Sequence, residues 1–553
     1  MLIPHDPASR PVRAFPLLAA LLFAGALLAG CTADEAAPPR TVTPADVGHD
    51  PTTIHVTGTT LANVTIPSFD GATTLAALIR SPLTNDTLPD GSAARWPVVV
   101  FLHGWGGGKE SFTGGRGGLP GSEAMGGVDR LEQFARAGFI AVAYDARGFG
   151  QSTGHADVAG PATMGDLGVV LDWVAANYAS SGKVGVLGES YGAGQAYLAW
   201  AKDPRVTTAV PMYGWVDLAD ALIPNDVPKL EWAQFLYGYG LVGSQGRYDA
   251  MIHEWYTQVY TRSDLETVRA QMEERSALSA LGSAGNTKPL LLCQGMQETL
   301  FPQADIAAQA ATTAGAFVRT YVYTGGHGAS EPACWSRALD WFQFFLAGFD
   351  TRVDGWPALE TSDAVAELGA SYQAWPTSAV TTYRLRAPDL VADASDATFT
   401  VRQSLSSSLD PSALPDLVGE PRPPVPDALR NDPNAVVFTG PAYEDVRTIV
   451  GSSVLRLDVQ SGAAPFQVAA QLLLLRPDGT SVALGHAAFA ALNATQGQAP
   501  IEMRFEWTHA QLQPGDKVQL RIAANDPGWW MPLLADYSVT FAGTSSLDVP
   551  FLA

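Results

Sequence analysis

The stretch Val184-Gly185-Val186-Leu187-Gly188-Glu189-Ser190-Tyr191-Gly192 decides the fold of this 553-residue chain. A short apolar run, Val184 to Leu187, leads into Gly-Glu-Ser-Tyr-Gly, and a helical stretch follows from Gln195 to Ala201. Small residues on either side of a serine allow the sharp strand-to-helix turn that lifts its hydroxyl above a sheet. A second pentapeptide of the same form, Gly150-Gln151-Ser152-Thr153-Gly154, follows the loop Asp145-Ala146-Arg147-Gly148-Phe149 and precedes no helix. Ser190 is therefore the candidate nucleophile, and Ser152 reads as a loop residue.

Outward from this elbow, apolar runs alternate with amphipathic stretches. Pro97 to Leu102, Phe139 to Tyr144, Val206 to Met212, Pro289 to Cys293 and Val318 to Tyr323 read as strands buried on both faces. Val128 to Ala137, Met164 to Asn177 and Ala338 to Leu346 read as helices between or after them. Such alternation specifies a doubly wound parallel sheet, with Val318 to Tyr323 as its last strand and ligands at the carboxyl ends of the strands. Residues 222–283 interrupt the pattern with helical sequence rich in aromatics, including Trp232, Phe235, Tyr237, Tyr239, Trp255, Tyr256 and Tyr260. This is the signature of a helical cap inserted over the sheet, with most of those rings packing the cap's own core.

A serine nucleophile needs a base later in the chain and an acid between the two. Of nine histidines, His327 alone sits just after the final apolar run, in Thr324-Gly325-Gly326-His327-Gly328. The glycines let that loop fold back over the elbow. Glu298, in Gly295-Met296-Gln297-Glu298-Thr299, follows the penultimate strand and is the candidate acid; Asp217 and, further behind, Asp305 are the alternatives. Backbone donors for a developing oxyanion are expected from Tyr191, next to the serine, and from Trp105 in His103-Gly104-Trp105-Gly106-Gly107.

The ends of the chain read differently. Arg10 and Arg13 precede an apolar run from Phe15 to Leu28, which ends in Leu28-Ala29-Gly30-Cys31. This has the form of a bacterial lipoprotein signal over residues 1–30, with Cys31 as the lipidated residue and the protein held at the membrane by lipid rather than by a span. Residues 31–51, rich in Ala, Pro, Thr and Asp, read as a tether to the first folded domain, expected over 52–350. Beyond Trp356 the helical period disappears. Short alternating stretches (Thr398 to Val401, Val454 to Val459, Lys517 to Ile522) are separated by turns such as Pro477-Asp478-Gly479, and Asp410 to Pro433 reads as an irregular crossing loop. Residues 356–553 are thus expected to form a β-sandwich. The two remaining cysteines, Cys293 and Cys334, flank the acid and base loops and are a possible disulfide in an oxidising compartment. The net charge of −22 and the lack of a basic patch exclude a nucleic-acid groove. No Cys/His cluster has metal spacing, and neither metal nor organic cofactor is expected.

With these elements placed, the first domain resembles the hydrolase family that includes X-prolyl dipeptidyl peptidases and bacterial cocaine esterase. The resemblance is carried by Ser190-Tyr191, Tyr144 to Ser152, Gln294-Gly295 and Gly326-His327. It is narrowed by the C-terminal region: Val436 to Val459, Leu472 to Pro477 and Leu547 to Phe551 look like the family's jelly-roll, a galactose-binding-like sandwich. The resemblance implies a serine hydrolase that acylates its nucleophile and cleaves esters, amides or Xaa-Pro peptides, with a small-molecule or short-peptide substrate. In some members a tyrosine hydroxyl completes the oxyanion hole from the loop where Trp105 stands here; tryptophan has none, which leaves its backbone. Peptidase members also need an acidic group for the substrate amine, and no residue here is assigned to it. The rival reading keeps the fold without the chemistry, as an inactive hydrolase-fold lipoprotein that binds at the surface.

Overall fold

The computed structural model describes residues 55–87, 93–114, 128–283, 285–328, 332–366, 369–393, 397–403, 435–493, 500–526 and 529–553. The signal segment, Cys31, the tether and the stretch Asp410 to Pro433 lie outside the described residues.

The first domain is built on one ten-stranded sheet. Its strands are β1 (Gly58–Pro67), β2 (Thr74–Leu83), β3 (Trp96–Leu102), β4 (Ile140–Tyr144), β5 (Ser180–Glu189), β6 (Val206–Met212), β7 (Leu290–Gly295), β8 (Val318–Tyr323), β9 (Leu359–Thr361) and β10 (Ala370–Tyr372). They lie in the order β1-β2-β4-β3-β5-β6-β7-β8-β9-β10. From β4 to β9 all neighbours are parallel, while β1, β2 and β10 pair antiparallel at the edges. Strand β3 shows why its sequence is apolar throughout. Val98, Val100 and Leu102 enter the core on one face, and Val99 and Phe101 enter the core on the other. Helices Arg130–Arg136, Pro161–Asn177, Tyr191–Lys202, Ala304–Thr313 and Pro332–Phe342 cover the two faces, as expected of an α/β-hydrolase fold.

Two boundaries differ from the sequence reading. Val318–Tyr323 is not the last strand, because β9 adds parallel to β8 and β10 returns antiparallel on β9. Each is three residues long, too short to show a hydrophobic period. The stretch Val454 to Val459 is likewise two strands. Val454–Leu457 belongs to the large sheet of the second domain, and Val459–Ser461 to a three-stranded sheet. The switch occurs at Asp458, whose N–H donates to Ser545 Oγ and whose carbonyl accepts from Ala542.

The inserted region forms helices Leu230–Gly243, Ala250–Thr261, Leu265–Glu273 and Leu278–Leu281 over the carboxyl end of the sheet. The C-terminal domain is all β, an eleven-stranded sheet faced by the three-stranded sheet of Thr398–Gln403, Tyr537–Ala542 and Val459–Ser461. Phe399, Val401, Val539 and Phe541 from the smaller sheet share one core with Leu455, Leu472, Leu520 and Val549 from the larger. At Pro477-Asp478-Gly479 the chain reverses between Phe466–Leu475 and Ser481–Ala491, with Gly479 at φ 86°.

Candidate active site

Ser190 occupies the turn between β5 and the helix Tyr191–Lys202, with φ 52° and ψ −110°. A non-glycine residue holds that conformation only when its surroundings enforce it. The enforcement is steric and local. A Cβ at Gly188 would lie 2.0 Å from the Gly192 carbonyl oxygen, and one at Gly192 would lie 1.9 Å from that of Leu102. Neither position of the elbow accepts a side chain, so the turn closes tightly and presents the serine hydroxyl at the carboxyl edge of the sheet.

Ser190 Oγ lies 2.9 Å from His327 Nε2. On the other side of the ring, His327 Nδ1 lies 2.9 Å from Glu298 Oε2 and 3.1 Å from Oε1. With Nδ1 donating to the carboxylate, Nε2 accepts from Ser190. Glu298 is buried, and its Oε1 accepts from the N–H groups of Leu300 (2.8 Å) and Phe301 (3.1 Å). Burial works against its charge, but His327 and those two N–H donors outweigh it and hold the carboxyl below the ordinary glutamate range. The rings of Tyr213, Trp232 and Phe301 meet the His327 imidazole edge-on, with centroids 5.3–5.5 Å away, and shield it.

The two alternative acids do other work. Asp217 caps the helix Leu218–Leu222 by accepting from Asp220 N, and Asp305 pairs with Arg504 of the second domain. Ser152 is buried; its hydroxyl donates to the Asp145 carbonyl and accepts from Ala76 N. His103, which also follows a strand, accepts from Ala146 N through Nε2 and bonds the Gly104 carbonyl through Nδ1. His509 pairs with Asp363 in the C-terminal half, away from Ser190.

Trp105 lies beside the nucleophile. A Cβ at the preceding Gly104 would fall 3.8 Å from Ser190 Cβ, and the Trp105 ring packs edge-on to Tyr191 at 5.1 Å. Its indole N–H is committed to the Leu236 carbonyl of the cap. The Tyr191 hydroxyl points away from Ser190 toward Ala159 N and Thr163, so the side chains of both residues build walls. Cys293 of β7 and Cys334 of the helix Pro332–Phe342 are joined in a disulfide.

Ser190 opens into a pocket beneath the cap that, counted out to its open mouth, holds about 850 Å³ of empty space. Its walls are apolar and aromatic, among them Trp105, Tyr191, Trp215, Leu236, Trp255 and Phe301. Of the cap aromatics, Tyr237, Trp255 and Tyr256 face this pocket, while the Tyr239 ring stacks on Phe235. Sequence reading missed Lys229, the one charged side chain in the described wall; its ammonium donates to the Thr299 and Leu300 carbonyls at 2.8 and 2.9 Å. It missed Tyr213, Trp215 and Phe301 too, since aromatics after strands carry no signal separating core from site. Among the described residues no group of three His, Cys, Asp or Glu is placed to hold a metal.

Comparison with known proteins places these features in a family. Residues 70–316 match the family described as X-Pro dipeptidyl-peptidase (S15 family), and residues 340–540 match the X-Pro dipeptidyl-peptidase C-terminal non-catalytic domain. An aminopeptidase from a marine sediment archaeon, Thaumarchaeota archaeon, superposes with TM-score 0.67 at 13% identity over 94% of this chain and 99% of its own. An α-amino acid ester hydrolase superposes with TM-score 0.67 at 14% identity, over 92% and 100%. A CocE/NonD family hydrolase from Staphylococcus aureus gives TM-score 0.64 at 14% identity, over 92% and 100%. At such identities these structures speak for the fold alone. An uncharacterized 31.7 kDa protein of Escherichia coli, from the traX-finO intergenic region, is 29% identical over 151 residues, 27% of this chain and 47% of that protein. The chain thus spans about half the length of the curated relatives it matches. With both of its domains matched in order, the chain belongs to the X-Pro dipeptidyl-peptidase (S15) family.

Proposed function

We propose that this protein hydrolyses esters of large, uncharged apolar acids or alcohols through an acyl-Ser190 intermediate. The observation that carries the reading is the unbroken hydrogen-bond chain Ser190–His327–Glu298 at the floor of an apolar pocket. Ser190 Oγ attacks the ester carbonyl as His327 Nε2 takes its proton, and Glu298 stabilises the resulting imidazolium. The N–H groups of Trp105 and Tyr191 receive the oxyanion. His327 then protonates the leaving alcohol, and water repeats the sequence on the acyl-enzyme.

Pocket chemistry favours the ester over the Xaa-Pro peptide. A dipeptidyl substrate brings a free ammonium, which needs a carboxylate when desolvated. The described wall contains no Asp or Glu, and its single charge is the cation Lys229. Purified protein and its Ser190→Ala variant, assayed on an aryl ester of a bulky acid and on an Xaa-Pro anilide, test this. Ser190-dependent turnover of the ester alone is expected. Faster turnover of the anilide would move the chain to the peptidases, and no turnover of either would favour the inactive binding lipoprotein.

The same proposal places the enzyme outside the cytoplasm, lipid-anchored through Cys31. The support is sequence alone, Leu28-Ala29-Gly30-Cys31 after a basic and then apolar segment. Among the described residues no helix is long and apolar enough to cross a membrane. Mass spectrometry of the processed N-terminus is expected to find diacylated Cys31. An unmodified Cys31 in protein from the membrane fraction of its host would remove the anchor.

A further inference from the structure

Two consecutive peptide groups link Lys229 to Glu298. In the first, the Thr299 carbonyl accepts from Lys229 Nζ (2.8 Å) while the Leu300 N–H donates to Glu298 Oε1 (2.8 Å). In the second, the Leu300 carbonyl accepts from the same ammonium (2.9 Å) while the Phe301 N–H donates to the same carboxylate oxygen (3.1 Å). Both peptide dipoles therefore run from a buried cation to a buried anion, and each bond polarises the next. Trp232, three residues along the cap, adds a bond from its indole N–H to Thr299 Oγ1.

The linkage reaches beyond the cap. The backbone of Lys229 pairs with Trp530 of the C-terminal domain, Leu230 N donates to the Trp529 carbonyl, and Met531 N donates to the Pro228 carbonyl. Lys229 is thus gripped from outside by the second domain and grips the acid loop inside.

We infer that Lys229 is a positioning residue: its ammonium, held by the cap and the C-terminal domain, locks the acid loop so that Glu298 stays aligned on His327. This rests on the serine-hydrolase reading of Ser190, His327 and Glu298. Acid orientation matters because a small displacement of a catalytic group costs far more rate than binding. The charges facing the ammonium are Glu298 on the acid loop, Asp220 on the helix Leu218–Leu222 and Glu506 in the second domain. Burial lowers its pKa to about 8, with those three carboxylates opposing the fall.

The test compares wild type, Ser190→Ala and Lys229→Met on the ester substrate, with kcat and KM measured across pH and Tm recorded in parallel. For folded Lys229→Met, kcat is expected to fall about 10- to 100-fold with KM changed much less. The pH profile of kcat/KM should change as well, because removing the ammonium alters both the charge around Glu298 and its alignment on His327. Should Lys229→Met fail to fold, Lys229→Gln keeps a donor without the charge, and the same profile is read on it. A folded variant with a wild-type profile, or with KM alone raised, overturns the inference while leaving the Ser190 chemistry standing. Turnover that survives Ser190→Ala overturns the hydrolase reading itself, and this inference with it.

Discussion

The Lys109 ammonium and the Asp145 carboxylate, both fully buried, lie 2.9 Å apart and tie together the loops that follow β3 and β4. Lys109 also meets Glu110 at 2.8 Å and Gln151 Oε1 at 3.0 Å, and Asp145 accepts from the backbone N–H of Lys109 and Gln151. Burial disfavours the ammonium, yet the bonds and charges of Glu110 and Asp145 outweigh it and hold its pKa above the ordinary lysine value. The pair fixes the loop that carries Trp105. Removing one partner strands the other charge without water, so Lys109→Met should cost about 3–5 kcal/mol in urea unfolding. Adding Asp145→Asn should recover part of that loss, since the stranded charge is then gone. A single variant as stable as wild type would show the pair to be dispensable.

Glu231 presents the opposite case. It sits in the first turn of the helix Leu230–Gly243, 6% exposed, and neither carboxylate oxygen has a hydrogen-bond partner among the described residues. Burial, and then the negative charge of Asp526, push its pKa up to about 8. The folded state therefore holds a proton that the unfolded chain releases near the ordinary glutamate value. Stability contributed by the neutral form is present in acid and declines as pH rises toward 8. Glu231→Gln should melt several degrees above wild type at pH 9, with the gap closing toward pH 4. A gap that does not vary with pH would assign the effect to packing.

The Cys293–Cys334 disulfide closes a loop across 41 residues and encloses both Glu298 and His327. Limiting the freedom of such a loop in the unfolded chain is worth about 2–4 kcal/mol. The double variant Cys293→Ala/Cys334→Ala should lose that much in denaturant melts and inactivate faster at elevated temperature, with kcat near wild type at 25 °C. An unchanged melting curve would mean that the bridge adds nothing to the packing of β7 on its helix.

How much of this was legible in the sequence depends on the length over which a residue's constraint acts. Ser190 could be read because its turn is local: a strand, two glycines that tolerate no side chain and a helix, all between Ser180 and Lys202. His327 and Glu298 could be ranked because each ends an apolar strand, and that position aims a side chain at the sheet's carboxyl edge. Lys229 and Glu231 could not be separated from ordinary residues opening a surface helix. What distinguishes them is a segment about three hundred residues later in the chain: Trp530 pairs with the backbone of Lys229, and the charge of Asp526 acts on Glu231. The strands β9 and β10 escaped for a different reason, since three residues carry no period and the pairing partner alone defines them.

The segment Pro228–Leu230 is hydrogen-bonded to one domain through its backbone and to the other through a side chain. Val227, just before it, shares a small core with Ala469, Ala488 and Trp530. The pocket wall is thus lined by the first domain and, at Lys229, backed by the second. A hydrolase domain transplanted without its β partner would carry the nucleophile but leave behind the buttress of its cap. Exchanging the C-terminal domain would therefore change what the cap rests on as well as the outer surface.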